Sequence, residues 1–550
     1  MTGPSSTNYP TRHPAWPYAD CDLYKVGLQD GEYLETAGDI TWPSGVRTVL
    51  PFLPSTEESI STPGVQSMAH TTDDLLAPKQ NRIAAIIALG TDPLSPTESH
   101  ALNKWIRIML SRGRPVIIHK TPMSSTVDLT EEGFQTLRSD LDKTIVVQEE
   151  LASYNACNEK RQSDKGKKVA WRTISKSKRE QRHILNGPEG DTEDDDQGTT
   201  GYESTDNGSN GLRIKIHAYD NPNREGTHVN LTIREFIRCR FNPRFCGNWL
   251  ASATVFSAGA PMFIQGVSDD SIAAASCMDV DTQSDHRKDP FSQDWVRCKT
   301  WSLACHAASW TPWHRDSNGL CTWGLVMSGV KVWGYCIPVR RVLDLSTRMG
   351  LDEQIFSPEP NLYGMRQGHV FLTTGSTIIQ PPGLIHTVFT PLSAVMCGGH
   401  FYCYDTMAAT EMAMRLDKKG TLKKTNDHHI SCIPMMVRMV LAIPSVYRDT
   451  IPFDTIAAFG AILGDPHFYK VTGFKKDTEA ATLLESEAIE ADLLQNAKDF
   501  LYQGLVKSGE VQAESKWHAI AIHLRKMLDA GHHIHNEPTN IYMLMTHFKG

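Results

Sequence analysis

None of the twelve cysteines falls in a Cys-x-x-Cys pair, so neither a zinc ribbon nor a zinc finger is encoded. No run of about 18 apolar residues occurs, which excludes a hydrophobic membrane-spanning helix. The opening Met-Thr-Gly-Pro-Ser-Ser-Thr-Asn-Tyr-Pro carries no basic n-region and no apolar core. No signal peptide is therefore expected, and reduced thiols are the default. Positive charge is not in excess either. A net charge of -8 argues against a chain that coats nucleic acid with its whole surface. What remains is 550 residues, 40% hydrophobic and 21% charged, enough for a large core and more than one domain.

Residues 1 to about 75, rich in Pro, Ser, Thr and Gly, predict a mostly disordered arm with docking aromatics such as Trp16 and Tyr18. Leu75-Leu76 and Ile83 to Ile87 suggest a helix. Ser95-Pro-Thr-Glu98 has the form of a capping box opening a helix through Leu102, Trp105, Ile106 and Leu110. Arg112-Gly-Arg-Pro ends that helix, and Val116 to Ile118 reads as a short buried strand. Residues 130 to 154 read as a helix and then a strand, Thr144 to Gln148. Ten Lys or Arg lie between Lys160 and Arg182, and an acidic run follows through Glu193 to Asp196. The stretch 157–211 predicts a disordered charged insertion. It reads either as a solvated loop or as a nuclear-localisation or nucleic-acid patch around Lys165-Gly-Lys-Lys168 and Lys176-Ser-Lys-Arg179.

Leu212 to Ala218 alternates as a strand, and Leu231 to Ile237 reads as the first turns of a helix. From Val296 to Tyr404 short strands are separated by Gly, Pro and Ser. They are Thr300 to Cys305, Leu320 to Met327, Lys331 to Ile337, Val370 to Thr373, Thr377 to Ile379, Thr387 to Phe389 and Ala394 to Tyr404. Such a series favours a closed or double-sheet core such as a jelly roll. After 405, Met407 to Leu416, Ile433 to Leu441, Glu479 to Val506 and Glu514 to Leu528 have helical spacing. This C-terminal helical subdomain packs on the β core, dimerises, or does both. The pairs and triplets His428-His429 and His532-His533-Ile-His535 lack acidic or Cys company and read as surface histidines.

The chemistry converges on residues 311 to 319. His314 and Asp316 are two apart, so on an extended strand they share a face and could bind one metal ion. His386 offers a third ligand after Gln-Pro-Pro-Gly-Leu-Ile. Two His and a carboxylate form the facial triad of non-haem Fe(II) oxygenases, whereas a structural zinc site would be filled by protein, usually with Cys. Lys331 follows His314 by 17 residues on a neighbouring strand. A Lys inside a β core is costly without an anion, and a dicarboxylate would supply one, with Thr311 adding a hydroxyl. Trp313, Trp323 and Trp333 read as core, the other option being that they flank a substrate.

These residues resemble the jumonji C family of Fe(II)- and 2-oxoglutarate-dependent oxygenases. The likeness is carried by Thr311-Pro-Trp-His314-Arg-Asp316, Trp323, Gly329-Val-Lys331-Val-Trp333, Gly375-Ser-Thr-Ile-Ile-Gln-Pro-Pro-Gly-Leu-Ile-His386-Thr-Val-Phe-Thr-Pro and Gly398-Gly-His-Phe. Gly113-Arg-Pro-Val-Ile-Ile118 looks like the opening strand, so the likeness runs from about 102 to 405. The resemblance implies an α+β chain whose core, 76–404, is a double-stranded β-helix (jelly-roll, cupin-like) with flanking helices, followed by a helical subdomain at 405–550. It implies that His314, Asp316 and His386 hold Fe(II) and that Thr311 and Lys331 hold the distal carboxylate of 2-oxoglutarate. The order of motif residues is most similar to the lysine demethylases that often carry F-box or plant-homeodomain modules. That implies a nuclear enzyme demethylating methyl-lysine, with a histone tail as partner and the basic segment 160–182 available for chromatin. A side-chain hydroxylase and a weakly active chromatin scaffold are the alternatives. One departure stands out: the family often has Asn in its Gly-Gly-Asn-Phe segment, where this chain has His400, which could replace an amide hydrogen bond or crowd the metal.

Overall fold

A computed structural model describes residues 39–49, 61–90, 93–123, 127–137, 140–149, 228–240, 247–250, 259–271, 298–338, 347–350, 364–419, 429, 431–445, 451–469, 479–507, 509, 511–512 and 516–530. Strands β1 (Asp39–Thr41) and β2 (Arg47–Val49) form an antiparallel hairpin. A second, 12-stranded sheet contains β3 (Thr72–Asp73), β4 (Ala85–Ala88), β5 (Val116–His119), β6 (Thr144–Glu149), β7 (His228–Thr232), β8 (Gly247–Trp249), β9 (Trp301–Cys305), β10 (Trp310–His314), β11 (Cys321–Pro338), β12 (Met365–Thr373), β13 (Thr377–Gln380) and β14 (Ile385–Phe401). Its order is β4-β5-β13-β11-β14-β9-β8-β6-β7, with β10 on β14 and β12 joining β11 to β3. The pairs β4–β5 and β3–β12 are parallel and the remaining pairs antiparallel, so the sheet is mixed. Helices α1 (Ser61–Ala69), α2 (Pro96–Ser111), α3 (Glu131–Leu137), α4 (Ile233–Cys239) and α5 (Met262–Val267) are interspersed. Six more follow the last strand: α6 (Met407–Lys419), α7 (Cys432–Ala442), α8 (Phe453–Gly464), α9 (Pro466–Tyr469), α10 (Glu479–Lys507) and α11 (Trp517–Ala530). A large mixed sheet with helices is compatible with the α+β class. No helix among the described residues is long and apolar enough to cross a membrane.

The long strands β11 and β14 form the spine. They pair from Cys321↔Phe401 to Cys336↔Ile385, with register shifts between Val326 and Val332. At the same place β11 exchanges its other neighbour: β13 pairs with Thr322–Leu325, β12 with Val330–Pro338. Likewise β14 pairs with β9 through Ala394–Gly398 and with β10 through His386–Phe389. Where four short strands are expected from the sequence, two long ones form. Gly329 and Pro391 read as breakers, but both fall where the register shifts, and a bulge tolerates a left-handed glycine and a missing N–H. Gly329 has φ +78°, and a Cβ there would lie 2.1 Å from the Ser393 carbonyl oxygen.

Alternation along the spine separates three sets of side chains. Trp333, Tyr335, Val370, Leu372 and Val388 from one half pack with Val326, Ile378, Met396 and Ile117 from the other. Residues of opposite parity face outward. Val330, Val332, Phe371 and Phe389 are covered by Trp42, Val65 and Met68, while Trp323, Leu325, Met327 and Val395 meet Leu102, Ile106 and Leu110 of α2. Strands buried on both faces read as nearly continuous apolar runs, which is why their parity is hidden in the sequence.

Several expectations need correcting. Ile83 to Ile87 does not form a helix: Ala85–Ala88 is a strand beside β5, and the Asp74 carboxylate accepts from the Ile83 and Ala84 N–H groups. A short apolar run has no readable period, and its β-branched Ile86 and Ile87 suit a sheet. Leu231 belongs to β7; the helix starts after Thr232, which with Glu235 forms a capping box. The Ser95–Glu98 capping box opens α2 as read. Helix α8 was not foreseen, because Thr455 to Leu463 are all buried and show no amphipathic stripe. Within the stretch read as a mostly disordered arm, 39–49 and 61–75 are described, and Trp42, Val65 and Met68 anchor them to the outer face of the sheet. The C-terminal helices pack against Leu320, Tyr402 and Tyr404, which flank the ends of β11 and β14. Trp16, Tyr18, the insertion 157–211 with its basic segment, the strand read at 212–218, and His428, His532, His533 and His535 lie outside the described residues.

Strand β3 docks on β12 beside a buried ionisable pair. The His369 Nδ1–H donates to Thr71 Oγ1, whose own hydrogen goes to the Met68 carbonyl oxygen. That leaves the Nε2 lone pair of His369 3.7 Å from Asp73 Oδ2. Burial pushes Asp73 up to about 6 and His369 down to about 3. An acid whose folded pKa is raised stabilises the fold when protonated, so the Asp73 contribution falls as pH climbs from about 4 to about 6, while that of His369, whose folded pKa is lowered, rises over the same range. Asp73→Asn supplies an N–H to His369 at every pH. It is expected to raise stability at pH 8 by up to about 3 kcal/mol, seen as a higher thermal midpoint, and to change it little at pH 4. Melting curves at the two pH values check this.

Candidate metal centre

The site begins with the edge strand β10. Trp310 pairs with Phe389, Thr311 with Val388, and His314 with His386, with a register irregularity between Thr311 and His314. In a regular strand, residues three apart point to opposite faces. The irregularity realigns them, so Thr311 and His314 stand opposite partners only two apart, Val388 and His386. Val388 is part of the interior cluster. Cross-strand pairing places Lys331, Trp333 and Tyr335 of β11 on that face too, since Trp333 pairs with Val388 and Tyr335 with His386. Four of the five residues singled out from the sequence therefore share one face by register, and Asp316 follows just beyond the end of β10.

His314, Asp316 and His386 come together, with one ligand atom from each lying within 4.8 Å of the others. The two imidazole rings are 4.0 Å apart, and Trp333 stacks on His386 at 5.5 Å and 9°. The Pro312 carbonyl oxygen lies 2.7 Å from His314 Nδ1, and the Leu384 carbonyl oxygen 3.3 Å from His386 Nδ1. A carbonyl oxygen only accepts, so each Nδ1 carries the hydrogen and each Nε2 keeps its lone pair for a cation. Asp316 Oδ2 accepts from the Thr322 hydroxyl at 2.6 Å. Burial, aided by His386, pushes His314 down to about 3, and burial lowers His386 as well. Burial alone would raise Asp316. His386, His400, His314 and the Thr322 hydroxyl prevail and hold it below the usual carboxylate range. Neutral imidazoles with an ionised carboxylate are the protonation states a divalent metal needs.

The turn after β10 is clamped by the helical region. Asn318 and Gly319 have φ +64° and +60°. The Asn318 N–H donates to Asp417 Oδ2, and the Thr410 hydroxyl donates to the Gly319 carbonyl oxygen, both from α6. Buried Arg315 lies 3.8 Å from Asp417 Oδ1. The His429 N–H donates to Asn318 Oδ1, and the Tyr402 hydroxyl donates to the Asn318 carbonyl oxygen. His429 is thus half-buried at the site, 6.0 Å from the His400 ring, and the reading of it as a surface histidine does not hold. Isolation in sequence, next to a run of Lys and Asn, disguised it.

Lys331 is 2% exposed, and its Nζ donates to Thr390 Oγ1 at 2.7 Å. Among the described residues it makes no ion pair. Thr390 was not singled out from the sequence, yet the parity of His386, Val388 and Thr390 on one strand was a signal for it. Thr311 is half-buried; its carbonyl oxygen accepts from Thr387. Trp323 and Trp333 are core, 1% and 5% exposed, as read. A second set of metal-type side chains, Asp269, Cys403 and Asp405, already surrounds a cation. Arg107 Nη1 lies 2.7 Å from Asp269, 3.3 Å from Cys403 Sγ and 3.1 Å from Asp405.

No family model matches the chain. The functional reading therefore rests on the site itself and on the motif residues. A Co(II) titration of the intact chain should find one tight site, lost in His386→Ala and Asp316→Ala but kept in Asp405→Ala. Loss of that site in Asp405→Ala alone would move the centre to the wrong cluster.

Proposed function

We propose that this chain is an Fe(II)- and 2-oxoglutarate-dependent dioxygenase of the jumonji C kind, acting on methyl-lysine in a histone tail. The observation that carries the reading is the buried ammonium of Lys331. It lies on the same sheet face as the His314–Asp316–His386 triad, and a neutral hydroxyl is its neighbour where a buried cation wants an anion. A dicarboxylate that also reaches the triad meets both needs. The donor set fits the metal: two imidazole nitrogens and one carboxylate, without Cys, leave positions open on a six-coordinate ion. The interior cluster shared by the two halves of the spine supports a double-stranded β-helix as the core, with the helical region after 405 bracing its metal-binding turn.

Bound together, Fe(II) and 2-oxoglutarate would activate O2: one oxygen atom would go to 2-oxoglutarate as it is oxidised to succinate and CO2, and the other would hydroxylate a C–H bond. The protein does the rest. His314, Asp316 and His386 hold the ion. Lys331, with Thr311, binds the distal carboxylate of 2-oxoglutarate, and Thr390 holds the Lys331 ammonium in place. Trp333 and Val388 keep that end of the pocket dry, which strengthens the charge pairing inside it. On an N-methyl group the hydroxylated product releases formaldehyde, giving demethylation. The demethylase reading and the nuclear setting come from the motif resemblance and the basic segment 160–182.

The test is mass spectrometry of methylated histone peptides incubated with the chain, Fe(II), 2-oxoglutarate and oxygen. A loss of about 14 Da per methyl supports the demethylase, and a gain of about 16 Da makes it a hydroxylase. No succinate with any substrate would make it a scaffold. His314→Ala should abolish turnover. Lys331→Met should weaken 2-oxoglutarate binding by more than about tenfold, the cost of truncating one partner of a buried charge pair.

A further inference from the structure

We propose that His400 is a positioning residue for the metal centre, acting through Thr322 on Asp316, and that this pair does for this chain what direct contact with the ion would not. The inference rests on the reading of the triad as a metal site. Thr322 of β11 and His400 of β14 are cross-strand partners, and Val326 and Met396, four residues from each along the same parity, lie in the interior cluster. Thr322 is 3% exposed and His400 5%. Thr322 Oγ1 lies 2.6 Å from Asp316 Oδ2 and 2.9 Å from His400 Nδ1.

The sense of this chain follows from counting hydrogens. A hydroxyl has one, and an ionised carboxylate has none to give. The Thr322 hydrogen therefore goes to Asp316, and the Thr322 oxygen accepts from His400 Nδ1–H. The relay runs His400 to Thr322 to Asp316, each bond polarising the next. It pins one oxygen of the carboxylate and so fixes its plane. It also turns the Nδ1 edge of His400 toward Thr322 rather than toward the ion, and His400 is not among the atoms that converge on the metal position. Partners of this kind typically matter to metal affinity by roughly ten- to a hundredfold.

The amide nitrogen of an Asn can replace imidazole Nδ1, whereas the longer Gln places its amide where Nε2 would be. The two variants are similar in size and polarity, which separates the hydrogen bond from packing. Co(II) affinity of the full chain, measured by calorimetry with the visible Co(II) spectrum as a second readout, is the measurement. Thr322→Val should weaken Co(II) binding by roughly ten- to a hundredfold and shift the spectrum, while Thr322→Ser keeps both. His400→Asn should keep wild-type affinity, and His400→Gln should lose it. In the Thr322→Val background, His400→Gln should add nothing, because the relay is already cut. Equal behaviour of the Asn and Gln variants, or effects that multiply in the double variant, would overturn the relay and make His400 an independent contributor. A wild type that binds no Co(II) would instead overturn the metal reading beneath it, and the relay with it. Circular dichroism of each variant guards against misfolding; if His400→Gln does not fold, Thr322→Val against Thr322→Ser decides, and equal Co(II) affinity in those two overturns the relay.

Discussion

The register of β14 between β10 and β11 decides which side chains meet. His386 stands opposite His314 on one side and Tyr335 on the other; Val388 stands opposite Thr311 and Trp333. Because strand side chains alternate with a period of two, a slip of one residue would send His386 to the outer face with Phe389 and Trp310. The irregularity between Thr311 and His314 has the same standing on the other strand. It lets a hydroxyl and an imidazole three residues apart serve one face. Gly329 lets β11 and β14 pass through their shared register shift without breaking, so residues from the two halves of the spine pack in one cluster.

That interior holds charge as well as apolar packing. The triad brings a carboxylate with two neutral imidazoles, and Lys331 brings an ammonium beside a hydroxyl. Such groups are costly to bury unless something binds to them. Elsewhere the fold settles the same problem internally: Arg107 sits among Asp269, Asp405 and Cys403, and Arg415 pairs with Glu411 and Asp529. The helical region contributes too, since Asp417 and Thr410 hold the turn that carries Asp316 away from β10.

The candidate metal ligands were legible because their chemistry is tied to local spacing: His-x-Asp on a strand end, and a His after a Pro-Pro-Gly turn. Lys331 was legible from cost, as a charge in an apolar strand. Thr390 could have been found by parity from His386. The Thr322–His400 link could not, since 78 residues separate the two and only their pairing across β11 and β14 joins them. The fold's coarse class was visible in the alternation of short strands and later helices. Its long strands were not, because glycine and proline look the same at a bulge as at a break. The buried helix α8 and the strand β4 were hidden for a related reason: a segment surrounded by protein has no polar face to give it a period.

The central claim is that the triad and Lys331 belong to one site. Binding of 2-oxoglutarate to the intact chain, measured by calorimetry with and without saturating Co(II), tests it most directly. One site requires thermodynamic coupling, so the metal should tighten 2-oxoglutarate binding by about tenfold or more, and 2-oxoglutarate should tighten Co(II) by the same factor. Lys331→Met should weaken 2-oxoglutarate binding while leaving Co(II) binding in its absence intact. Equal 2-oxoglutarate affinity with and without metal, unmoved by Lys331→Met, would contradict the account.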